Sequence, residues 1–282
     1  MQWFGRKESG NVEDRRGFTG GRIAAGGGII GVIVLVINLL MGGDAGTMLN
    51  QMQDQNKTEQ TPGITDPEED KMAKFISVAL ADNEDVWKDI FRQMGKEYEE
   101  PKLVLFRQAT ESGCGDASSA SGPFYCPDDR KIYIDLSFMD ELRNRFGAKG
   151  GEFALAYVLA HEVGHHVQNL LGVSSKVKAM KERVNKVEAN KLSVALELQA
   201  DFYAGVWANH EEQINHTLEA GDIEDAMNAA NAIGDDAIQK KAEGRVVPDA
   251  FTHGTSQQRV AWFTKGYKTG NMNEGNTFDQ LQ

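Results

Sequence analysis

The chain has 282 residues, 40% of them hydrophobic, and a formal net charge of −12. That length holds one globular domain of ordinary size with room for a membrane anchor. Without a basic surplus to neutralise phosphates, nucleic acid is excluded as a partner, and no internal repeat points to a solenoid.

Residues 1–22 carry Arg6, Lys7, Arg15, Arg16 and Arg22, and residues 23–43 contain no charged side chain. An apolar run of about twenty residues is long enough to span a bilayer as a helix. The next positive residue after it is Lys57, so the positive-inside rule puts residues 1–22 in the cytoplasm and the remainder outside. A cleaved signal peptide is the rival reading, set back by the long charged leader and the lack of an Ala-x-Ala site. Gly27 and Gly31 have the small-x-x-x-small spacing that could pair such helices into an oligomer. Residues 44–66 are polar and read as a flexible tether.

A globular domain is expected over 67–270, followed by a frayed polar tail over 271–282. Its first element is a helix over 68–94, with Phe75, Ile76, Ala79, Val86, Trp87 and Ile90 in the apolar stripe. Residues 102–109 and 131–138 read as strands. Between them, the Gly- and Ser-rich stretch 112–127 has no period and is flanked by the two cysteines, Cys114 and Cys126. In an oxidising compartment these would close into a disulfide; two free thiols or an accessory metal site are the alternatives.

The next helix, over 152–171 and ended by Gly172, contains His161-Glu162-Val163-Gly164-His165. Side chains at i and i+4 share a helix face, so both imidazoles can reach one metal, while Glu162 is placed to act as a base on a water. A second helix-compatible run over 192–210 carries Glu197 and, one turn on, Asp201. Catalytic zinc normally takes three protein ligands. Glu197 would complete a His2Glu set, and Asp201 would orient a ligating ring. Surrounded by Leu196, Leu198, Phe202 and Tyr203, such acids need partners if buried.

Shorter helices follow at 221–225 and 234–244, then a connector at 245–248 and a last helix from Ser256 to Lys268. His253 precedes that helix and is a candidate donor to an oxyanion, with a structural histidine as the alternative. Arg259 would pair with Asp201, or with a substrate carboxylate, or face solvent. Tyr203 and Tyr267 are weaker oxyanion candidates. His166 points to a different helix face from His165 and reads as structural; His210 and His216 read as solvated.

The motif at 161–165, the Glu-Leu-Gln-Ala-Asp segment at 197–201, the Gly-Pro-Phe-Tyr-Cys segment at 122–126 and the Thr-His-Gly-Thr-Ser-Gln-Gln-Arg run at 252–259 together resemble the bacterial neutral zinc metallopeptidases of the YpfJ type. The likeness extends over nearly the whole chain. It implies an α+β, mainly helical zincin-like metallopeptidase domain with a small β-sheet, preceded by one N-terminal transmembrane helix. It also implies Zn2+ on His161, His165 and Glu197, with Glu162 as base, acting on a protein or peptide substrate. The placement so implied is a single pass of the bacterial inner membrane, with the catalytic domain periplasmic or extracellular. By analogy with that fold, an extended substrate would add to the strand at 131–138 or to the loop before it. A tethered scaffold with structural zinc, closed by His253 or a cysteine, and a zinc amidase acting on cell-wall peptides are the competing readings.

Overall fold

A computed structural model describes residues 1–17, 66–140 and 151–281. The chain divides into one unit made of Met1–Arg15 with Pro67–Gln282 and a second made of Arg16–Asp66. The predicted span over 23–43 and the tether over 44–66 lie outside the described residues. No helix among the described residues is long and apolar enough to cross a membrane.

The main unit is mostly helical, with a small mixed sheet. Strands β1 (Val12–Asp14), β2 (Lys102–Phe106), β5 (Phe124–Cys126) and β6 (Lys131–Asp135) form the sheet in the order β1-β2-β6-β5. β1, β2 and β6 run parallel, and β5 is antiparallel to β6. The alternation of strand side chains sends Leu103, Leu105, Ile132 and Ile134 into the principal core, while Val104, Phe106, Tyr133 and Cys126 form a smaller cluster. Parallel strands buried on both faces read as unbroken apolar runs, which the Leu-Val-Leu-Phe of β2 is. Strands β3 (Ala109–Ser112) and β4 (Gly115–Ser118) make a separate antiparallel hairpin.

The compact unit expected over 67–270 also takes in residues 1–15, and Val12–Asp14 extend its sheet, with Val12 opposite Leu103 and Asp14 opposite Leu105. Trp3 is buried, and its indole nitrogen donates to Glu152 at 2.7 Å. Arg6 donates to Asp82 and Glu211 at 2.8 and 3.0 Å, and both carboxylates are buried.

Helix α1 (Pro67–Gln93) starts with proline at its first position and three acids in its first turn, both favoured at a helix N-terminus. It buries Phe75, Ile76, Val86, Trp87 and Phe91. Helix α2 (Glu152–Leu170) is buried along nearly its whole length and ends before Gly172, whose φ of +74° an L side chain would resist. α3 (Val173–Lys181) leads to the long α4 (Lys186–Asn215), whose Asn185 cap accepts from the Glu188 amide. α5 (Asp222–Ala232), α6 (Asp235–Glu243) and α7 (Ser256–Thr269) complete the bundle. Thr255, not Ser256, caps α7, in a capping box with Gln258. The tail is not frayed within the described residues. Gln199 donates to the Gly275 carbonyl at 2.8 Å, and Thr277 is buried with its hydroxyl on the Ala195 carbonyl.

The Gly- and Ser-rich stretch holds more structure than its composition suggests, since it contains the end of β3 and all of β4 and β5. β6 is interior and β5 is the outer strand. Cys114 and Cys126 form a disulfide, which ties the β3–β4 turn to the end of β5. β5 is also tied to α2. The Tyr125 hydroxyl accepts from Asn169 and lies 3.0 Å from His166 Nδ1, while His166 Nε2 donates to the Glu99 carbonyl at 2.6 Å. With its proton fixed on Nε2, the ring accepts from Tyr125 as a neutral imidazole.

Burial lowers the His166 pKa to about 4, outweighing the Glu99 carbonyl that raises it. The unfolded chain, titrating near the ordinary 6.5, binds the proton first as pH falls. The stability that neutral His166 contributes is therefore complete above about pH 6.5 and lost progressively towards pH 4, an effect of about 3 kcal/mol. Denaturant unfolding of the metal-free protein at pH 7 and pH 4 will show that loss, and it will shrink by about that amount in His166→Gln. Equal losses in the two proteins would refute the assignment.

Candidate metal centre

His161 and His165 project from one face of α2, their ring centroids 4.8 Å apart. Glu197 on α4 meets both, with its Oε2 lying 3.2 Å from His161 Nε2 and 3.4 Å from His165 Nε2. Ligand atoms of the three residues all fall within 4.8 Å of one another, the group among the described residues able to hold a metal ion. Ligands about 2.1 Å from a tetrahedral zinc sit about 3.4 Å apart, the spacing at which Glu197 Oε2 stands from each imidazole. Nitrogen and carboxylate oxygen together suit zinc better than a hard cation such as Mg2+ or Ca2+.

Two glycine contacts explain why α4 lies where its acids can reach. A methyl group at Gly164 would sit 2.9 Å from the Ala200 carbonyl oxygen and 3.1 Å from its Cα. The missing side chain between Val163 and His165 is thus what lets α4 approach α2. Further along α4, Gly205 and Gly266 of α7 each face backbone of the opposite helix, with no space for a side chain. That second close crossing delivers Arg259.

Arg259 is buried and holds Asp201 with two donors, Nε at 2.8 Å and Nη2 at 3.0 Å. Asp201 Oδ1 also accepts from Tyr157 at 2.6 Å and from His161 Nδ1 at 2.8 Å. With Nδ1 donating to Asp201, His161 presents Nε2 to the metal position. Burial would raise the Asp201 pKa, but Arg259 and then His161 outweigh it and hold the carboxyl at about 2. Burial likewise works against charge on His161, yet Asp201 and Glu197 carry its pKa up to about 10. Glu197 lies well below the usual carboxylate range despite its burial, because His165 and His161 face it. Buried carboxylate is balanced here by whatever positive charge the rings carry, and a divalent cation fits the same place.

His165 has its own support, from a residue that motif spacing does not single out. Its Nδ1 lies 2.9 Å from the Gln168 Oε1, and Gln168, fully buried, donates its amide to the Leu196 carbonyl at 2.7 Å. One imidazole is therefore oriented by a carboxylate and the other by a neutral amide. The only trace of Gln168 in the sequence is a polar side chain one turn past His165 in a largely apolar helix.

The three metal-position residues line a cleft of about 570 Å³ together with Glu162, His253, Arg259, Tyr157, Gly122, Phe124 and Tyr125. Asp235 shapes the His253 loop, its Oδ2 accepting the amides of Thr252, His253 and Gly254 at 2.7, 2.6 and 3.0 Å. His253 Nδ1 lies 3.2 Å from Asp235 Oδ1, and this bond raises the imidazole pKa against partial burial. Tyr203 packs on Trp87 in the core, and neither it nor Tyr267 lines the cleft. His210 is not simply solvated, since its Nε2 bonds the Gly270 carbonyl, and His216 caps α4 in a left-handed conformation. The cysteines, joined to each other, are not available to close a structural zinc site.

The model of a family described as "Putative neutral zinc metallopeptidase" matches residues 1–278. The chain belongs to this family. Relatives of the chain include YpfJ of Escherichia coli K12, 50% identical over 286 residues and 99% of each chain. Another is Rv2575 of Mycobacterium tuberculosis H37Rv, 40% identical over 256 residues, or 85% of this chain and 84% of that one. No solved structure matches. The matched region takes in the sheet, the bundle and the cleft alike.

Two substitutions test how the centre is built. Gln168→Leu should weaken zinc binding about 10- to 100-fold in competition with a chromophoric chelator, with Gln168→Glu restoring most of it. Unchanged affinity in the Leu variant would remove Gln168 from the centre. Gly164→Ala must push α4 away, so its thermal midpoint and its zinc affinity should fall together, the former by about 1–3 kcal/mol of stability. A stable Ala variant with full affinity would show that the close approach is dispensable.

Proposed function

We propose that the chain is a zinc-dependent peptidase that hydrolyses peptide bonds in this cleft. The observation that carries the reading is the conjunction of the His161–His165–Glu197 group and Glu162 in one cleft walled by the outer strand of a sheet. Zinc bound there supplies Lewis acidity, making water nucleophilic near neutral pH and polarising the scissile carbonyl.

The chain's own residues divide the remaining work. Glu162, adjacent to His161 on α2 and facing the cleft, takes the proton of the attacking water and returns it to the departing amine nitrogen. His253, held at Nδ1 by Asp235 in a bond that favours the imidazolium, donates from Nε2 to the oxyanion that develops on the carbonyl oxygen. Tyr157 and Arg259 fix Asp201, and Asp201 fixes His161, so these three act by position. An extended substrate pairs by backbone hydrogen bonds with the outer strand β5, the segment that precedes the interior β6. The disulfide at Cys126 and the Tyr125 bonds to α2 keep that strand at a fixed distance from Glu162.

Glu162→Gln should retain zinc at full stoichiometry and lose hydrolysis of an unfolded protein, whereas His165→Ala should lose both. His253→Ala should keep zinc and lower kcat about 100-fold with little change in KM. Hydrolysis surviving in Glu162→Gln would end the assignment of the base. Zinc-loaded protein that cleaves no unfolded protein or peptide would end the peptidase reading.

A further inference from the structure

We propose that residues 1–15 and the metal centre occupy the same side of any membrane the chain meets. The grounds are the described contacts of residues 1–15, which are those of an integral strand. β1 pairs in parallel with β2 over Val12–Asp14, and the Leu103 amide donates to the Asn11 carbonyl at 2.9 Å.

The polar side chains of this segment are committed to the domain as well. Asn11 donates to both Glu84 and Glu100 at 2.8 Å, and Ser9 donates to Glu84 at 2.7 Å. Glu13 pairs with Lys131 of β6 at 2.9 Å. Arg6 bridges Asp82 and Glu211, which are 4% and 0% exposed. A buried pair of carboxylates stripped of its cation is strongly destabilising, so Arg6 cannot be withdrawn without cost to the domain. Removing β1 would also bare the edge of β2 and the core beneath it.

These contacts change what the early positive charges mean. The positive-inside rule counts Arg6 and Arg15 as cytoplasmic anchors. In the fold, Arg6 neutralises buried acids, and Arg15 bonds Glu13 at 2.8 Å. A single crossing between Arg15 and Pro67 would strand β1 on the side opposite its sheet. A return crossing would need a second apolar run of about twenty residues. Residues 44–66 contain Asp44, Asp54, Lys57 and Glu59 and supply no such run.

The test uses the full chain in cells. Spheroplasts are treated with a membrane-impermeant amine reagent, and Lys7 and Lys240, both exposed, are read by mass spectrometry with detergent-lysed cells as the reference. The two lysines should share one state, both labelled or both protected. One labelled and the other protected would overturn the proposal. In parallel, a zero-length carbodiimide should couple Glu13 to Lys131. Absence of that link, while the Lys88–Glu100 contact inside the domain is coupled, would overturn it equally.

Discussion

The centre depends on one close approach, that of α4 against α2 at Gly164. Two helices bring i,i+4 pairs face to face, His161 and His165 on one and Glu197 and Asp201 on the other. Such pairs mesh only if the backbones come nearer than side chains normally permit. With hydrogen in place of a methyl at Gly164, the Ala200 carbonyl fills the space. Glu197 then falls between the two Nε2 atoms while Asp201 passes behind His161 to its Nδ1. The same carboxylate spacing serves as ligand and as orienter because the helices are that close.

The second crossing, at Gly205 and Gly266, extends the logic outward. It sets Arg259 against Asp201, so the acid that orients His161 is itself held by two hydrogen bonds in a buried place. A line of hydrogen bonds runs from Arg259 through Asp201 to His161, whose far nitrogen meets Glu197. A preorganised chain of this sort needs little rearrangement when a cation or a developing oxyanion enters, which is where buried polar networks gain over solvent.

Much of this was legible in the residues, for reasons that also explain what was not. The helix carrying residues 161–165, the i,i+4 placement of Glu197 and Asp201 on a second helix and the stop at Gly172 rest on spacing within helices, a local signal; the Arg259 contact, from a helix 58 residues further on, was one of three readings left open. Gln168 escaped because an uncharged amide in an apolar helix is unremarkable until its partners are seen. β3, β4 and β5 are three or four residues long, too short to show a period of two. β1 was hidden differently, since its charges match a well-tested membrane rule while its partners lie far off in sequence. The tail after Gly270 is polar in composition, yet it is held by single bonds such as that from Gln199 to Gly275, which no pattern announces.

The N-terminal strand also sets an order on assembly. Its partners are separated from it by long stretches of chain: Trp3 meets Glu152, Arg6 meets Glu211, and the Gln2 amide donates to the Thr217 carbonyl. Residues 1–15 thus cannot settle fully until more than two hundred later residues have been made. Contacts so distant along the chain close slowly, because loop entropy is lost before they repay it. The fold of this domain is therefore completed only once residues as late as Thr217 have been made.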